Sequence, residues 1–205
     1  EPLGIDQMQP QFSWRLESDS RGCMQKAYQV LVATSPEKLA NGEADMWDSG
    51  KKPASASTGI IYKGKTLSSR ARYWWKVRVW TEDDVVTDWS APASFEMGLL
   101  HEEDWWGGWI GYATGMPGRV LYFKATVAYG KKPVREARMY IAGLGFYELM
   151  INGKKVGDHV LDPAQSSYSK RIYYATYDIS DCFTEEANTI VVAVAPGFIG
   201  TPKLR

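Results

Sequence analysis

Histidine and cysteine are scarce in this chain, with two of each among 205 residues. His101 and His159 have no histidines, cysteines or acids clustered around them at the spacing of transition-metal ligands, and neither cysteine belongs to a CxxC pair. The sequence therefore predicts no metal site and no cofactor. Cys23 and Cys182 lie far apart, which favours free thiols over a disulfide within one domain.

An excess of either charge is also lacking. Lys and Arg together number 24, as do Asp and Glu, so the formal net charge is zero. A neutral chain has no overall field to attract phosphate backbones, which argues against nucleic acid as a partner. No stretch approaches the ~20 consecutive apolar residues of a membrane-spanning helix, so no membrane span is predicted.

Short β-type segments make up the first half of the chain. Alternation of apolar and polar residues predicts strands at 12–16, 27–33, 46–50, 59–62, 73–80 and 89–97. One short helix is predicted at Pro36–Ala40, because Ser35 is a good N-cap and Asn41 with Gly42 favours a stop. This many short strands with almost no helix predicts a β-sandwich of about 100 residues.

Residues 73–80 (YWWKVRVW) form the clearest predicted strand. One face is uniformly apolar and should be core, whereas the other is an amphipathic mixture expected to face solvent; the two faces are Tyr73, Trp75, Val77, Val79 and Trp74, Lys76, Arg78, Trp80. Leu67 precedes Tyr73 by six residues across a polar turn. This spacing is typical of a tyrosine corner, in which the phenol bonds back to the backbone of a crossover in a sandwich.

The polar residues 101–104 mark a change of composition, and we place a domain boundary near 100–105. The domains expected are 1–101 and 102–205. The second is again all-β, with strands predicted at 120–128, 137–143, 147–151, 154–157, 171–177 and 189–195. Asn152-Gly153 predicts a tight hairpin, since both residues tolerate positive φ. Residues 143–145 predict a tight bend, and 179–183 one helical turn.

Catalytic devices are difficult to find in the sequence. It lacks a GxSxG nucleophile elbow, and Gly143-Leu144-Gly145 is not a phosphate loop because no helix follows. Glycoside hydrolysis by inversion uses two acids about 6.5–9.5 Å apart. The candidates for such a pair have no distinctive context; they are Glu136, Glu148, Asp158 and Asp162. Asp158 and Asp162 also suit a calcium ion, but loop aspartates more often cap turns.

Aromatic residues are abundant, with 9 Trp and 12 Tyr. Their flat apolar faces suit stacking on sugar rings, and the candidate carbohydrate-binding residues are Trp105, Trp106, Trp109 and Tyr168. Tyr173, Tyr174 and Tyr177 lie near the last of these in sequence. The alternative, which we favour for most of these rings, is that they fill small sandwich cores, which need large residues to bury enough area.

Several blocks in this order resemble the N-terminal region of bacterial α-L-rhamnosidases. In the first half these are 10–16 (PQFSWRL), 25–33 (QKAYQVLVA), 47–51 (WDSGK), 73–80 (YWWKVRVW), 95–100 (FEMGLL), 104–105 (DW) and 109–111 (WIG). In the second half they are 137–141 (ARMYI), 143–148 (GLGFYE), 151–158 (INGKKVGD), 161–163 (LDP), Tyr168 and 174–178 (YATYD). The resemblance extends over nearly the whole chain.

The resemblance implies a fibronectin type III-like (immunoglobulin-like) sandwich followed by a jelly-roll-like N-domain. It places catalysis, an inverting hydrolysis of terminal α-L-rhamnosides by acids, in a later (α/α)6 barrel, so no catalytic residue is assigned here. The chain opens with Glu1-Pro2-Leu3 and ends soon after the apolar residues 189–195, so we expect a fragment, or a chain with its signal removed, and a truncated jelly roll with an open sheet edge.

Three functional hypotheses remain at this point. The first is a non-catalytic fragment whose partner is its own downstream catalytic domain. The second is a carbohydrate-binding module for rhamnose-containing glycans. The third is an adhesion or assembly sandwich, since the fold alone does not decide function. The compartment stays open, because members of the family occur both inside the cell and exported.

Overall fold

A computed structural model describes residues 1–19, 21–111, 118–128, 133–183 and 186–197. The chain divides into two compact units, 1–107 and 108–205, which we call the first and second unit. The regular elements of both are almost all β-strands, which confirms the all-β prediction. The division lies a few residues after the boundary predicted at residue 101, which stays a prediction.

Antiparallel strands build the first unit. They are β1 (Gln11–Phe12), β2 (Gln25–Ala33), β3 (Trp47–Asp48), β4 (Lys52–Pro53), β5 (Ile60–Ile61), β6 (Arg72–Thr81) and β7 (Ala93–Glu96), with the helix α1 (Pro36–Ala40) after β2. One sheet has the order β3-β2-β6-β7, with β4 also pairing with β2, and β1 pairs with β5 in a second small sheet. A 3₁₀ turn follows at Glu102–Asp104.

The core of the first unit lies between these two sheets. Val30 and Val32 of β2 and Val77 of β6 are buried against Phe12 of β1 and the neighbouring Tyr62. Burial of such side chains contributes roughly 1.5–3 kcal/mol each, so this contact is a main source of the unit's stability. The arrangement is a small β-sandwich.

Strand β6 shows the predicted buried face and the predicted tyrosine corner. Tyr73, Val77 and Val79 are 4–6% exposed. The backbone N–H of Ser68 donates to the phenol oxygen of Tyr73 at 2.9 Å, which fixes the turn before the strand.

The opposite face of β6 is half-buried rather than solvated, which corrects the sequence prediction. Lys76 donates from Nζ to the carbonyl of Leu39 in α1 at 2.5 Å, so the helix covers this face. The Arg78 guanidinium lies 4.5 Å from the ring centre of Trp89 and 5.1 Å from that of Trp80. Stacked cations and rings shield each other from water, which period-2 alternation does not reveal.

The first predicted strand is shorter than expected. Only Gln11–Phe12 pairs as a strand, although the alternation extends to Leu16. The indole N–H of Trp14 donates to Gln25 Oε1 at 3.0 Å, and Gln25 Nε2 in turn donates to the carbonyls of Ala54 and Ala56 at 2.9 and 2.8 Å. The backbone N–H of Trp14 also donates to the carbonyl of Ser57 at 2.9 Å, but residues 13–16 do not continue the strand. The helix matches its prediction, and Ser35 Oγ accepts from the N–H of Lys38.

The second unit contains β8 (Leu121–Ala128), β9 (Arg138–Ala142), β10 (Phe146–Ile151), β11 (Lys154–Lys155), β12 (Tyr174–Asp178) and β13 (Ala187–Ala195). One antiparallel sheet has the order β11-β10-β13-β8, and β12 pairs with β9 in another. A 3₁₀ turn at Ser180–Cys182 confirms the predicted helical turn. The strand predicted at 171–177 begins only at Tyr174.

The core of the second unit lies between its two sheets. Tyr147, Leu149 and Ile151 of β10 are buried against Tyr177 of β12 and the adjacent Ile179. Strand β8 forms one edge of the larger sheet among the described residues, and its Tyr122 is 69% exposed. The truncated end predicted for this domain falls on 198–205, which lie outside the described residues.

Both predicted turns of the second unit are present. Asn152 and Gly153 have φ values of 51° and 77° and join β10 to β11. Gly145 has φ 144°, and a Cβ there would lie 2.3 Å from the carbonyl oxygen of Ala195, so only glycine fits this bend. Cys23 is exposed and Cys182 is half-buried, and both are free thiols.

Candidate functional site

The four acids considered as a catalytic pair occupy surface or structural positions. Glu148 points outward from β10 and its carboxylate pairs with Lys155 Nζ at 3.1 Å. Glu136 and Asp158 are exposed. Asp162 is mostly buried, with an 18% exposed side chain. Glu148 and Asp162 are thus engaged with neighbouring side chains, whereas Glu136 and Asp158 lie at the surface.

Asp162 is a hydrogen-bonding centre of the second unit. Its Oδ2 accepts from the Tyr177 hydroxyl and lies 2.8 Å from His159 Nδ1, and its carbonyl accepts from the N–H of Tyr147 at 2.7 Å. Burial raises the pKa of Tyr147 to about 12, and burial with the bond to Asp162 raises the pKa of Tyr177 well above its usual range. Both phenols are therefore neutral hydrogen-bond donors. The bonds that Tyr177 and the N–H of Tyr147 make to Asp162 tie the loop at 157–163 to the core of the second unit.

A surface cleft of about 390 Å³ lies in the first unit, between the segment after β1 and strand β6. Leu16, Glu17, Cys23, Met24 and Val79 are among its lining residues. Glu17 is the single acid of this lining, and its carboxylate pairs with Arg15. The cleft therefore lacks the two facing carboxylates that glycoside hydrolysis requires.

Trp106 forms the most exposed aromatic platform among the candidate residues. Its side chain is 89% exposed, and the Arg70 guanidinium lies over its ring at 5.1 Å from the centre. Trp105 beside it is 39% exposed. An exposed indole ring leaves apolar surface in contact with water. Such a ring, paired with a cation, offers a surface on which a ligand with an apolar face can stack.

Asp104 positions the platform. Its Oδ2 accepts from the Ser69 hydroxyl and from the backbone N–H groups of Leu100 and His101, both at 3.0 Å. Its carbonyl accepts from Arg70, which therefore points towards Trp106. The bond from Ser69, together with those backbone bonds, holds the pKa of Asp104 below its usual value. An acid engaged in this way orients neighbours and does not donate protons.

The other two candidate residues lie in the second unit. Trp109 is 65% exposed and Tyr168 is half-buried, in a turn before β12. The nearby tyrosines differ in their surroundings. Tyr177 is buried in the core, the ring centre of Tyr174 lies 6.1 Å from that of Tyr140, and Tyr173 is 39% exposed. The structure thus places Trp105 and Trp106 together and assigns Trp109 and Tyr168 to a different unit.

Arg70 is the site residue that the sequence analysis missed. It has φ 62°, a backbone conformation uncommon for arginine, and its N–H donates to the carbonyl of Gly98 at 3.0 Å. Neither its conformation nor its contact with Trp106 is visible in local sequence. The described residues contain no group of three metal-ligating side chains, and none of their helices is long and apolar enough to cross a membrane.

Two family models match the chain. The N-terminal immunoglobulin domain of Rha78A-like proteins matches residues 1–101, and the α-L-rhamnosidase N-terminal domain matches 132–203. An α-L-rhamnosidase of Formosa agariphila is 40% identical over 97% of this chain and 23% of its own length.

Solved structures agree with this assignment. The α-L-rhamnosidase of Dictyoglumus thermophilum is 38% identical, with a TM-score of 0.90 over 96% of this chain and 24% of its own. That of Aspergillus terreus is 28% identical, with a TM-score of 0.77 over 97% of this chain and 24% of its own. The chain spans about a quarter of the length of these relatives. With both family models matching N-terminal domains, the chain belongs to the α-L-rhamnosidase family and corresponds to its N-terminal region.

Proposed function

We propose that this chain is a non-catalytic N-terminal part of a glycoside hydrolase that removes terminal α-L-rhamnose, and that it supports the catalytic domain of the same polypeptide. The observation that supports this most is the match of its two units to two N-terminal domains of proteins about four times longer. The engagement of Asp104 and Asp162 in structural hydrogen bonds agrees with it. The domain limits we propose are 1–101 and 102–205.

The test uses the longer polypeptide that contains this chain. Glu148→Gln removes an exposed carboxylate without touching the core, and kcat on an aryl α-L-rhamnoside should stay within about twofold, since surface substitutions are nearly neutral. Lys155→Gln, at the partner of Glu148, is the matched control for loss of the ion pair. A loss of activity of about 10³-fold in Glu148→Gln alone, with an unchanged melting temperature, would contradict a non-catalytic role.

A second candidate function is binding of rhamnose-containing glycans, and the exposure of Trp106 over Arg70 favours it. The methyl group and C–H faces of a rhamnose ring offer the apolar surface that stacks on an indole. Trp106→Ala should abolish any rhamnose-dependent NMR shifts, whereas Trp80→Ala, which removes a half-buried ring on β6, should retain them. Equal shifts in both variants would remove Trp106 from the binding role.

A further inference from the structure

We infer that Val160 and Leu161, which we call the tip, form a docking anchor that inserts into an apolar pocket on the part of the α-L-rhamnosidase polypeptide outside this chain. This inference rests on the proposed function, because it requires a larger protein of which this chain is one part. The tip is the apex of the loop at 157–163, which follows β11 in the second unit.

Among the described residues the tip is the most exposed pair of adjacent aliphatic side chains, ahead of Val85 and Val86 at 62% and 45% exposure. Val160 is 76% exposed and Leu161 is 66% exposed, so two adjacent aliphatic side chains project into water. Single exposed aliphatic residues are ordinary on protein surfaces, but adjacent ones at a loop apex form a small apolar projection.

Both ends of the loop are fixed. His159 Nδ1 and Asp162 Oδ2 lie 2.8 Å apart and join the residues that flank the tip. Asp162 is in turn bound by the Tyr177 hydroxyl and by the N–H of Tyr147. The tip is therefore held in one geometry before any partner arrives, so docking costs little conformational entropy.

The backbone of Leu161 gives an independent indication. Its φ is 58°, in the left-handed region that glycine and asparagine adopt readily and that leucine adopts at a cost. A turn that needed only this backbone conformation would be more stable with glycine. The leucine side chain is neither buried nor required for the turn, and burial under a partner would make it useful.

The chemistry of the tip selects the partner. Valine and leucine offer no aromatic face and no hydrogen-bonding group, which a sugar would need. An apolar pocket on protein suits them, because aliphatic side chains gain free energy from burial alone. About three quarters of the length of the matched relatives lies outside the region that this chain spans, which provides the surface for such a pocket.

The first test places a photo-crosslinking group at the tip of the longer polypeptide. Leu161→photo-leucine should yield a crosslink within the same molecule to one peptide beyond residue 205. The control is Val85→photo-leucine. Val85 lies in a loop of the first unit and is 62% exposed, and photo-leucine at this position should yield no such crosslink. Absence of a crosslink from position 161, a crosslink within residues 1–205, or a crosslink to a second copy would each overturn the inference.

The second test measures the docking equilibrium. Leu161→Asn removes the aliphatic side chain and introduces a residue that tolerates positive φ, so the loop should keep its fold. Hydrogen exchange of the crosslinked peptide should accelerate by about tenfold, since burying a leucine contributes at least the free energy of a tenfold change in equilibrium. Val85→Asn should leave that exchange unchanged. Unchanged exchange in Leu161→Asn would overturn the inference.

Activity separates this inference from the proposed function. If the longer polypeptide hydrolyses an aryl α-L-rhamnoside but position 161 does not crosslink, docking through the tip is wrong and the proposed function stands. If the polypeptide crosslinks as expected but hydrolyses no rhamnoside, the proposed function is wrong and the docking surface stands.

Discussion

Replacing Tyr73 by phenylalanine tests the structural role of the tyrosine corner. The substitution keeps the ring, which is 4% exposed, and removes only the oxygen that accepts from the N–H of Ser68 at 2.9 Å. Loss of the acceptor leaves this N–H without its partner beside a buried ring. Such a loss costs about 1–3 kcal/mol, and because Ser68 itself is exposed to water we expect about 1–2 kcal/mol.

Calorimetry of the 205-residue chain measures this cost. In a unit of about 100 residues, 1 kcal/mol lowers the melting temperature by roughly 4–8 °C. The melting temperature of the first unit should therefore fall by about 4–16 °C in Tyr73→Phe, while that of the second unit stays unchanged.

Tyr28→Phe is the matched control. The half-buried ring of Tyr28 packs against Trp14, and its hydroxyl makes no hydrogen bond to a described residue. Loss of this hydroxyl should therefore change the free energy of unfolding of the first unit by less than about 0.5 kcal/mol. Equal shifts for Tyr73→Phe and Tyr28→Phe would refute the assignment of the hydrogen bond as the stabilising contact.

Two further predictions concern the first unit. Gly64→Ala would place a Cβ 2.4 Å from the carbonyl oxygen of Met46, so it should lower the free energy of unfolding by about 1–3 kcal/mol, measured in urea. A Cβ at Gly107 would meet open space, so Gly107→Ala should leave the urea midpoint unchanged. Similar midpoints for the two variants would be inconsistent with the close packing at Gly64. Burial opposes ionisation of Asp45, but the bonds from Lys38 and Thr34 dominate and lower its pKa to about 2 from 3.8. The contribution of ionised Asp45 to the stability of the first unit is present above about pH 4 and is lost as the pH falls towards 2. Asp45→Asn should therefore make the melting temperature less dependent on pH in this range. An unchanged pH dependence in the variant would argue against this.

The sequence predicted those features of the fold that depend on neighbours along the chain. The apolar face of β6, the hairpin at Asn152-Gly153 and the helix after Ser35 follow from period-2 alternation, positive-φ tolerance and capping. Each is a local rule acting within a few residues. The family followed from motifs rather than from such rules.

Long-range contacts explain what the sequence could not predict. The indole N–H of Trp14, two residues after the end of β1, donates to Gln25, a residue outside the window in which alternation is read. The cation that holds Trp106 comes from Arg70 through a backbone conformation that no local pattern indicates. Partners far apart in sequence decide these contacts, so alternation and composition do not contain them.

We propose that the two sandwiches of this chain do not cleave rhamnosides by themselves. The most direct measurement is turnover of an aryl α-L-rhamnoside by the purified 205-residue chain beside the longer polypeptide at equal molarity. We expect hydrolysis by the longer protein and none above background by the chain. Hydrolysis by the chain that disappears when one acid within residues 1–205 is replaced by its amide would contradict the account.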